Sequence, residues 1–510
     1  MAYNVVQKKG DCYYLYEAEG VWDPVKKNSV QKRRYLGKCD KDGNLLVSGR
    51  SLIRSCTFGS YYMMLEAAGS SGIYDSLVSS YGEKDADTIL AVAILRIVCP
   101  GSLNVMNDKL EESFLPEMLD VESLTPSFLT RFLQRIGRDA GSRTKLFSSL
   151  AVKGGAVVFD TTALPTSSEE LELAEIGRSY RRTSVRQENM GIVFSSEKGL
   201  PFMYKLYPGS VSDITMIRNL VQDVKDLGAD TVEFVLDRGF FSEHNVMCMA
   251  QAEMGFTIPV PAGNRLSKEC ISSSVPHMDD PSTAAMLSGS VVRCCEMTVE
   301  YAGAPRRMLV FQDDDRRNIE TRALYARLAA VEERLSGTEY RRFSVRTLTR
   351  SEKEICAMLE ITEENGSIVT RRKRNAVTAR ANRCGRFVVM TSSDIPWMDI
   401  RIRYRDRNEI EGQFSQFKSD IGGGLTNLSD QDSAEGAVLT EFVSLMIRTE
   451  LRNRMRKAGL LEKMQVPKAI AVMNKLKITR MGEKWRLNEI TKEMRDLLSA
   501  LGIPLPQDNY

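Results

Sequence analysis

Histidine is almost absent from the 510-residue chain, which contains only His244 and His277. A zinc site or a histidine-based catalytic triad therefore has almost no material. The ten cysteines include no Cys-X-X-Cys pair, and only Cys294 and Cys295 are adjacent. This pattern is typical of reduced intracellular thiols. Any metal chemistry must rest on carboxylates, which suit hard divalent cations such as magnesium or manganese.

Long hydrophobic runs are also missing. The most apolar stretch, residues 89–99, is too short to span a bilayer and is interrupted by Arg96. Residues 1–16 lack the apolar core of a secretory signal. We therefore expect a cytoplasmic protein without a membrane partner. The formal net charge is only +3, from 70 Lys and Arg against 67 Asp and Glu, so a nucleic-acid surface would have to be a local patch.

The first 150 residues predict two different modules. Short alternating runs punctuated by glycines indicate a small antiparallel β module over residues 1–50. Residues 51–150 change to a helical period and are a candidate DNA-end-binding module, although no segment matches a recognition helix. The expected helices lie near residues 60–68, 85–98, 126–137 and 142–150.

Residues 151–262 predict the first part of an α/β core, with the order strand, hairpin, helix, strand, helix, strand. The strand at 154–160 is expected to end in Asp160, and the strand at 232–237 to end in Asp237. Functional sites in α/β sheets assemble at the carboxyl ends of strands. An aspartate that ends a strand is also a common turn former, so neither acid defines a site alone.

The remainder of the chain predicts an interruption and a return to the core. Residues 263–385 contain strand-like runs, a long charged helix near 315–335 and a basic stretch, 371–386, with seven arginines and lysines and no acid. Residues 386–460 resume with a strand at 386–392 and include a long amphipathic helix at 436–457. Residues 461–510 predict a helical C-terminal region with two shorter helices.

The stretch from Tyr404 to Lys418 is the most informative part of the sequence. On a helix, Tyr404, Arg407, Glu411 and Lys418 fall within a stripe about 60° wide. One carboxylate thus shares a face with two cations and a phenol, a combination that suits a phosphate backbone and a metal ion. The alternative is a solvated charged face with pairs three and four residues apart.

Taken together, these motifs resemble the DDE transposases of bacterial insertion sequences. The spacing Tyr-(2)-Arg-(3)-Glu-(6)-Lys, met by Tyr404, Arg407, Glu411 and Lys418, is the signature of one group of them. FDTTALPTSS around Asp160 and VLDRGFFS resemble that group's first and second acid motifs, and YPGSVSD resembles the turn between them. The resemblance extends over roughly residues 1–480.

The resemblance implies a ribonuclease H-like catalytic core interrupted by the insertion at 263–385. Asp160, Asp237 and Glu411 would coordinate two Mg²⁺ ions, with Mn²⁺ as a substitute, for strand cleavage and strand transfer. Tyr404, Arg407 and Lys418 would hold phosphates of the transposon end. The partners would be terminal inverted repeats and target DNA, bound by a homodimer or higher oligomer that is nucleoid-associated on DNA.

Parts of the sequence also fit two other classes of protein. A haloacid-dehalogenase-type phosphatase also begins with an aspartate after a buried strand, but it requires a second aspartate at the position of Thr162. A catalytically inactive, transposase-derived repressor or scaffold stays open as the alternative function.

Relatives with this signature stack a flipped base on tryptophan. Trp397 lies before Tyr404, where packing at a helix start is the favoured role.

Overall fold

The computed structural model describes residues 2–9, 12–23, 28–43, 54–177, 185–211, 213–229, 231–287, 289–336, 338, 348–405, 407, 412, 428, 430–481 and 484–507. Within these residues, a large core is shared by the helical module and the central sheet. A second core lies within residues 324–384, and a third lies between the sheet and a late helix.

The strands follow one another from the N-terminus to residue 487. They are β1 (Ala2–Lys9), β2 (Cys12–Asp23), β3 (Asn28–Cys39), β4 (Arg54–Thr57), β5 (Gly154–Pro165), β6 (Glu175–Ile176), β7 (Arg186–Ser195), β8 (Leu200–Pro208), β9 (Thr231–Val235), β10 (Gly255–Val260), β11 (Ala284–Leu287), β12 (Ser290–Tyr301), β13 (Ala304–Asp313), β14 (Leu359–Glu364), β15 (Ser367–Arg372), β16 (Arg386–Thr391), β17 (Lys477–Met481) and β18 (Lys484–Leu487).

Helices occur before β5, between β5 and β16, and after β16. They are α1 (Gly59–Ser70), α2 (Ile73–Tyr81), α3 (Glu83–Val98), α4 (Met106–Glu112), α5 (Leu115–Met118), α6 (Pro126–Arg138), α7 (Ala140–Leu150), α8 (Asp213–Asp226), α9 (Glu243–Gln251), α10 (Arg265–Ser274), α11 (Asp314–Ser336), α12 (Arg350–Cys356), α13 (Arg374–Ala381), α14 (residues 397–405), α15 (Gln431–Lys457), α16 (Val466–Met473) and α17 (Lys492–Ala500).

A mixed sheet forms the centre of the molecule. In the described part of the chain it has ten strands, in the order β11–β12–β13–β16–β10–β9–β5–β7–β6, and β8 also pairs with β7. Strands β5, β9 and β10 run parallel. The pairs β5–β7, β7–β8, β10–β16 and β13–β16 are antiparallel. At the N-terminus, β1, β2 and β3 form a separate antiparallel sheet.

Strand β5 is longer than the sequence indicated. It was predicted to end at Asp160, but it continues to Pro165. The additional residues, Thr161 to Pro165, pair antiparallel with β7, from Gly191 to Gln187. The β-branched threonines favour this extension. The first acid therefore lies within a strand that continues past its parallel neighbour β9.

The predicted insertion, residues 263–385, contributes to two parts of the molecule. Its strands β12 and β13 form a hairpin that extends the central sheet beyond β16. Helices α11, α12 and α13 and strands β14 and β15 instead surround the second core. The six predicted units stay a prediction, but the sheet itself continues across the proposed boundary at residue 263.

Helix α15 connects the helical module to the sheet. It packs against α1, α3 and α6 and also against β8. The sequence predicted an amphipathic helix, whereas every residue from 436 to 449 is buried. One of its buried hydroxyl groups has a partner on α3: Ser444 Oγ donates to the carbonyl oxygen of Ala93 (3.0 Å). A helix surrounded by protein needs no polar face.

Two glycines allow α6 and α15 to cross in close contact. A Cβ atom added at Gly137 would overlap the carbonyl oxygen of Asp432, and one added at Gly436 would overlap the carbonyl oxygen of Leu133. The overlapping atoms belong to the backbone, so a rotamer change cannot relieve the clash. The two helices would have to separate.

The substitution Gly137→Ala is therefore expected to lower the free energy of unfolding by about 1–3 kcal/mol or more. Chemical denaturation of the purified protein measures this change. Gly141→Ala is the matched control, because its Cβ would meet only Asp139 Oδ1, at an ordinary 3.5 Å. Equal stabilities of the two variants would contradict the close helix contact.

The C-terminal region contains a β-hairpin that the helical prediction missed. Strand β17 pairs with β18 and also with β4, so that Arg480 lies opposite Arg54. The predicted shorter helices are present as α16 and α17. Strand β17 pairs with β4 over more than 400 residues of sequence, a contact that local periodicity cannot reveal.

Membrane-spanning potential is slight in the described residues. None of their helices is individually long and apolar enough to cross a bilayer. Only the combination of Glu83–Val98 with Leu103–Glu112 meets the length and composition criterion, and it is bent by 107°. Helix α3, the first half of that combination, is almost entirely buried in the protein core.

Candidate active site

Asp160 lies within β5, the strand between β9 and β7 in the mixed sheet. Its strand, β5, pairs with β9 up to Val158 opposite Val235, and on the other side Asp160 lies opposite Ile192 of β7. The backbone N–H of Thr161 donates to Asp160 Oδ1 (2.9 Å). The residue is half-buried. A carboxylate in this position is held by a paired backbone and still reaches solvent.

Asp237 follows the neighbouring strand. Strand β9 ends at Val235, and the N–H of Leu236 still donates to the carbonyl oxygen of Thr257 (3.0 Å). Asp237 then caps a short 3₁₀ turn, where its Oδ1 accepts from the N–H of Arg238 (2.6 Å). Its side chain remains 36% exposed. The prediction that β9 extends to Asp237 was two residues too long.

The register of β5 and β9 brings these two acids together. Val158 and Val235 are the last paired residues, and Asp160 and Asp237 each follow by two. In extended chains, residues two apart project to the same face, and neighbouring strands are about 4.8 Å apart. Asp160 in β5 and Asp237, two residues past the end of β9, therefore lie at the same edge of the sheet.

Arg407 joins the late helical segment to the second acid. Its Nη2 lies 3.6 Å from Asp237 Oδ1, and its side chain is only 2% exposed. The guanidinium carbon is 5.8 Å from the ring centroid of Tyr404. Tyr404 packs against the core, with its ring 6.2 Å from that of Phe387. The structure thus places Arg407 beside Asp237, and the contact with DNA phosphate that the resemblance implies stays a prediction.

A second ion pair, one helical turn earlier, was missed from the sequence. Arg403 Nη1 donates to Glu233 Oε2 (2.6 Å). Glu233 Oε1 in turn accepts from Thr257 Oγ1 (2.6 Å), which lies 2.9 Å from Thr391 Oγ1. Helix α14 is therefore tied to β9, β10 and β16. Glu233 and Arg403 are 170 residues apart, and no local pattern in the sequence links them.

Trp397 has the role that its position indicated. Its ring centroid lies 6.2 Å from that of Phe311, and it packs against the core under α14. Ile400 of the same helix is fully buried in that core. The prediction that Trp397 packs at a helix start is confirmed. The anchored start of α14 fixes the direction in which the chain approaches Asp237.

The third predicted acid, Glu411, and the predicted phosphate contact Lys418 lie outside the described residues. Within the described residues, no three His, Cys, Asp or Glu side chains are grouped closely enough to hold a metal ion. Asp160 and Asp237 supply hard oxygen donors that are open to solvent, which suits Mg²⁺ or Mn²⁺. Two carboxylates fit part of such a site and need further ligands to complete it.

Glu188 is a buried acid on the strand next to β5. It is fully inaccessible to solvent, opposite Leu164 of β5. Burial raises the pKa of Glu188 to about 7, Gln431 opposes the shift, and the negative charge of Glu435 adds to it. In the unfolded chain a glutamate has a pKa of about 4.3. The folded protein therefore keeps the Glu188 proton up to a higher pH than the unfolded chain does.

Stability is expected to fall as the pH rises from about 4 to 7, because the unfolded chain binds fewer protons in this window. The loss amounts to roughly 3 kcal/mol and levels off above pH 7. Glu188→Gln should remove this contribution and leave those of Glu435 and Glu441, whose pKa values are also raised by burial, as measured by denaturation across the pH range. The exposed Glu197→Gln serves as the control. A parent-like pH profile in Glu188→Gln would contradict the assignment.

The sequence matches the model of a known protein family. A family model described as the transposase DDE domain matches residues 153–447. The matched segment begins beside β5 and ends within α15, so it includes both described acids and the 404–418 stretch. It covers more than half of the chain, and the protein therefore belongs to this family of transposases.

The family match confirms the resemblance to DDE transposases, while bacterial origin and the narrower signature group stay predictions. Among solved structures, a cryo-EM structure of a piggyBac transposase synaptic complex with hairpin DNA is similar at 11% sequence identity and a TM-score of 0.36. That match covers 87% of this chain and 86% of the other. A similarity this slight carries no conclusion about fold or function. No curated protein matches the chain.

Proposed function

We propose that the protein is a metal-dependent DNA transposase that cleaves strands at transposon ends and transfers them into target DNA. The observation that supports this most is the placement of Asp160 within β5 and of Asp237 two residues past the end of the neighbouring parallel strand β9, with Arg407 beside Asp237. Phosphoryl transfer requires mainly positioning of the reacting groups, which rigid strands provide, and charge neutralisation, which cations provide.

The catalytic core is proposed to be ribonuclease H-like. The support is the strand order β8–β7–β5–β9–β10, in which the first strand of the unit is central and the fourth lies beside it. The hairpin β7–β8 is antiparallel on one side, and β9 and β10 are parallel on the other. This order makes neighbours of the two acid-bearing strands.

Asp160, Asp237 and Glu411 are proposed to hold two Mg²⁺ ions, which Mn²⁺ could replace. Glu411 is included because it follows Arg407 by four residues in the sequence. Bound divalent ions supply charge neutralisation at the reacting phosphate. The protein's part is to fix the carboxylates: β5 and β9 set their spacing, and the N–H groups of Thr161 and Arg238 orient their oxygens.

Tyr404, Arg407 and Lys418 are proposed to contact phosphates of the transposon end. For Arg407 this requires a change, since its side chain is buried against Asp237 in the structure. The proposed partners are terminal inverted repeats and target DNA, bound by a homodimer or higher oligomer. A cytoplasmic location, with association to the nucleoid on DNA, stays part of the proposal.

Incubation of the purified protein with a supercoiled plasmid that carries the DNA flanking its coding region tests this function. With Mg²⁺, nicks are expected at the boundaries of inverted repeats, and chelation should abolish them. Binding to the same repeats without cleavage in either Mg²⁺ or Mn²⁺ would contradict the enzyme and favour the inactive repressor or scaffold.

A further inference from the structure

A basic groove lies between helices α10 and α13, outside the acids and the 404–418 stretch. Its volume is about 890 Å³. The cations Lys268, Arg374 and Arg383 line it, and no acid is among the described residues of its wall. Lys268 and Arg374 are exposed, and Arg383 is half-buried. The remaining wall is neutral and includes Ser272, Asn375, Thr378 and Asn382.

The sheet topology places this groove at the edge that carries the two acids. Strand β10 is parallel to β9 and leads directly into α10, so α10 begins at the same edge as Asp237. Strand β16 is antiparallel to β10, with Val388 opposite Val260, and α13 comes just before it. Both walls of the groove therefore start or end near the carboxyl ends of the parallel strands.

The positive charges around the groove are crowded. Burial lowers the pKa of Arg383, and the neighbouring Arg380 lowers it further. The pKa of Arg386 is likewise lowered, first by burial and then by Arg317. Glu269, an acid on α10, is already paired with Arg265 (2.6 Å). A bound anion would relieve this repulsion.

The groove fits an extended anion better than a single small one. Its cations come from two helices rather than converging on one point, and its amide and hydroxyl side chains can donate to backbone phosphate oxygens. The groove also lies toward the edge of the sheet that carries the acids, with β16 two strands from β9, so that one continuous polyanion would pass both places.

We propose that the groove between α10 and α13 holds the sugar-phosphate backbone of the same duplex DNA whose reacting phosphate reaches Asp160 and Asp237. This assignment rests on the proposed transposase function and adds a binding site to it. The contact is with phosphates and is independent of base sequence. It fixes the path of DNA across the sheet edge.

Binding of a 30-base-pair duplex of arbitrary sequence, followed by fluorescence anisotropy between 50 and 300 mM KCl, tests the site. Each of Lys268→Ala, Arg374→Ala and Arg383→Ala is expected to reduce the slope of log K against log salt by about 0.9. At 0.1 M salt, this corresponds to roughly eightfold weaker binding per variant. The exposed Arg322→Ala on α11 removes one charge outside the groove and should change neither quantity.

The outcomes separate the two proposals. Groove variants that bind like Arg322→Ala, while the parent binds duplex and cuts plasmid with Mg²⁺, overturn the groove alone. A parent that binds no DNA overturns the transposase function and the groove with it. Unfolding midpoints of all variants are compared with that of the parent. The exposed Lys268→Ala and Arg374→Ala decide the result if Arg383→Ala is unstable.

Discussion

Asp160→Asn is expected to reduce Mg²⁺-dependent cleavage of plasmid DNA at least about a thousandfold while leaving DNA binding in place. Asparagine preserves the shape of the side chain and one oxygen but removes the charge that a divalent cation requires. Asp237→Asn should have an effect of the same size. Because both acids would serve the same ions, the double variant should lose little more than either single one.

The control for this experiment is Asp226→Asn on α8. Asp226 is exposed, and its Oδ1 accepts only a local hydrogen bond from Gln222 Nε2 (2.7 Å) among the described residues. Its variant should cut like the parent. Parent-like cleavage by Asp160→Asn would remove the residue from the site. A loss of DNA binding equal to the loss of cleavage would point to misfolding rather than to missing chemistry.

The second large effect concerns the helical core. Arg96 Nη1 lies 3.0 Å from Glu441 Oε1, and the two side chains are only 7% and 3% exposed. Arg96→Ala is expected to destabilise the protein by about 3–5 kcal/mol, because it leaves Glu441 buried without its cation. Denaturant unfolding measures the loss of stability. The substitution should weaken the contact of α3 with α15, the helix that connects the helical module to the sheet.

The pH dependence of the stability of Arg96→Ala tests whether the unpaired Glu441 carboxylate causes the loss. Burial raises the pKa of Glu441, and Arg96 opposes that shift. The pKa of Glu441 is already raised in the parent, and without Arg96 it should rise further, so the variant should lose more stability than the parent as the pH rises. Replacing both partners, as Arg96→Met with Glu441→Leu, should restore most of the stability. A double variant as unstable as Arg96→Ala would contradict this account.

The sequence identified elements whose signals are local. Helices α1, α3, α6 and α7 and strands β5, β7, β8 and β9 lie where apolar periodicity and turn residues predicted them. Asp160 and Asp237 could be paired in advance because two buried runs of the same unit each lead into an aspartate. Their position at the same edge of the sheet follows from the register, which the sequence did not specify.

What escaped prediction depends on contacts between distant segments. The hairpin β12–β13 extends the central sheet, and β17 pairs with β4, although nothing local distinguishes these strands from those of a separate domain. Helix α15 has the composition of an amphipathic helix, but Glu441 and Ser444 find partners on α3. The tie between Arg403 and Glu233 likewise exists only once β9 and α14 are packed together.

The most direct test of the central claim is a crystal of the protein with duplex DNA and Mn²⁺, in which anomalous scattering locates the metal. The account predicts a peak within about 2.0–2.4 Å of carboxylate oxygens of both Asp160 and Asp237. Peaks bound to other residues alone, with both of these carboxylates free of metal, would contradict it.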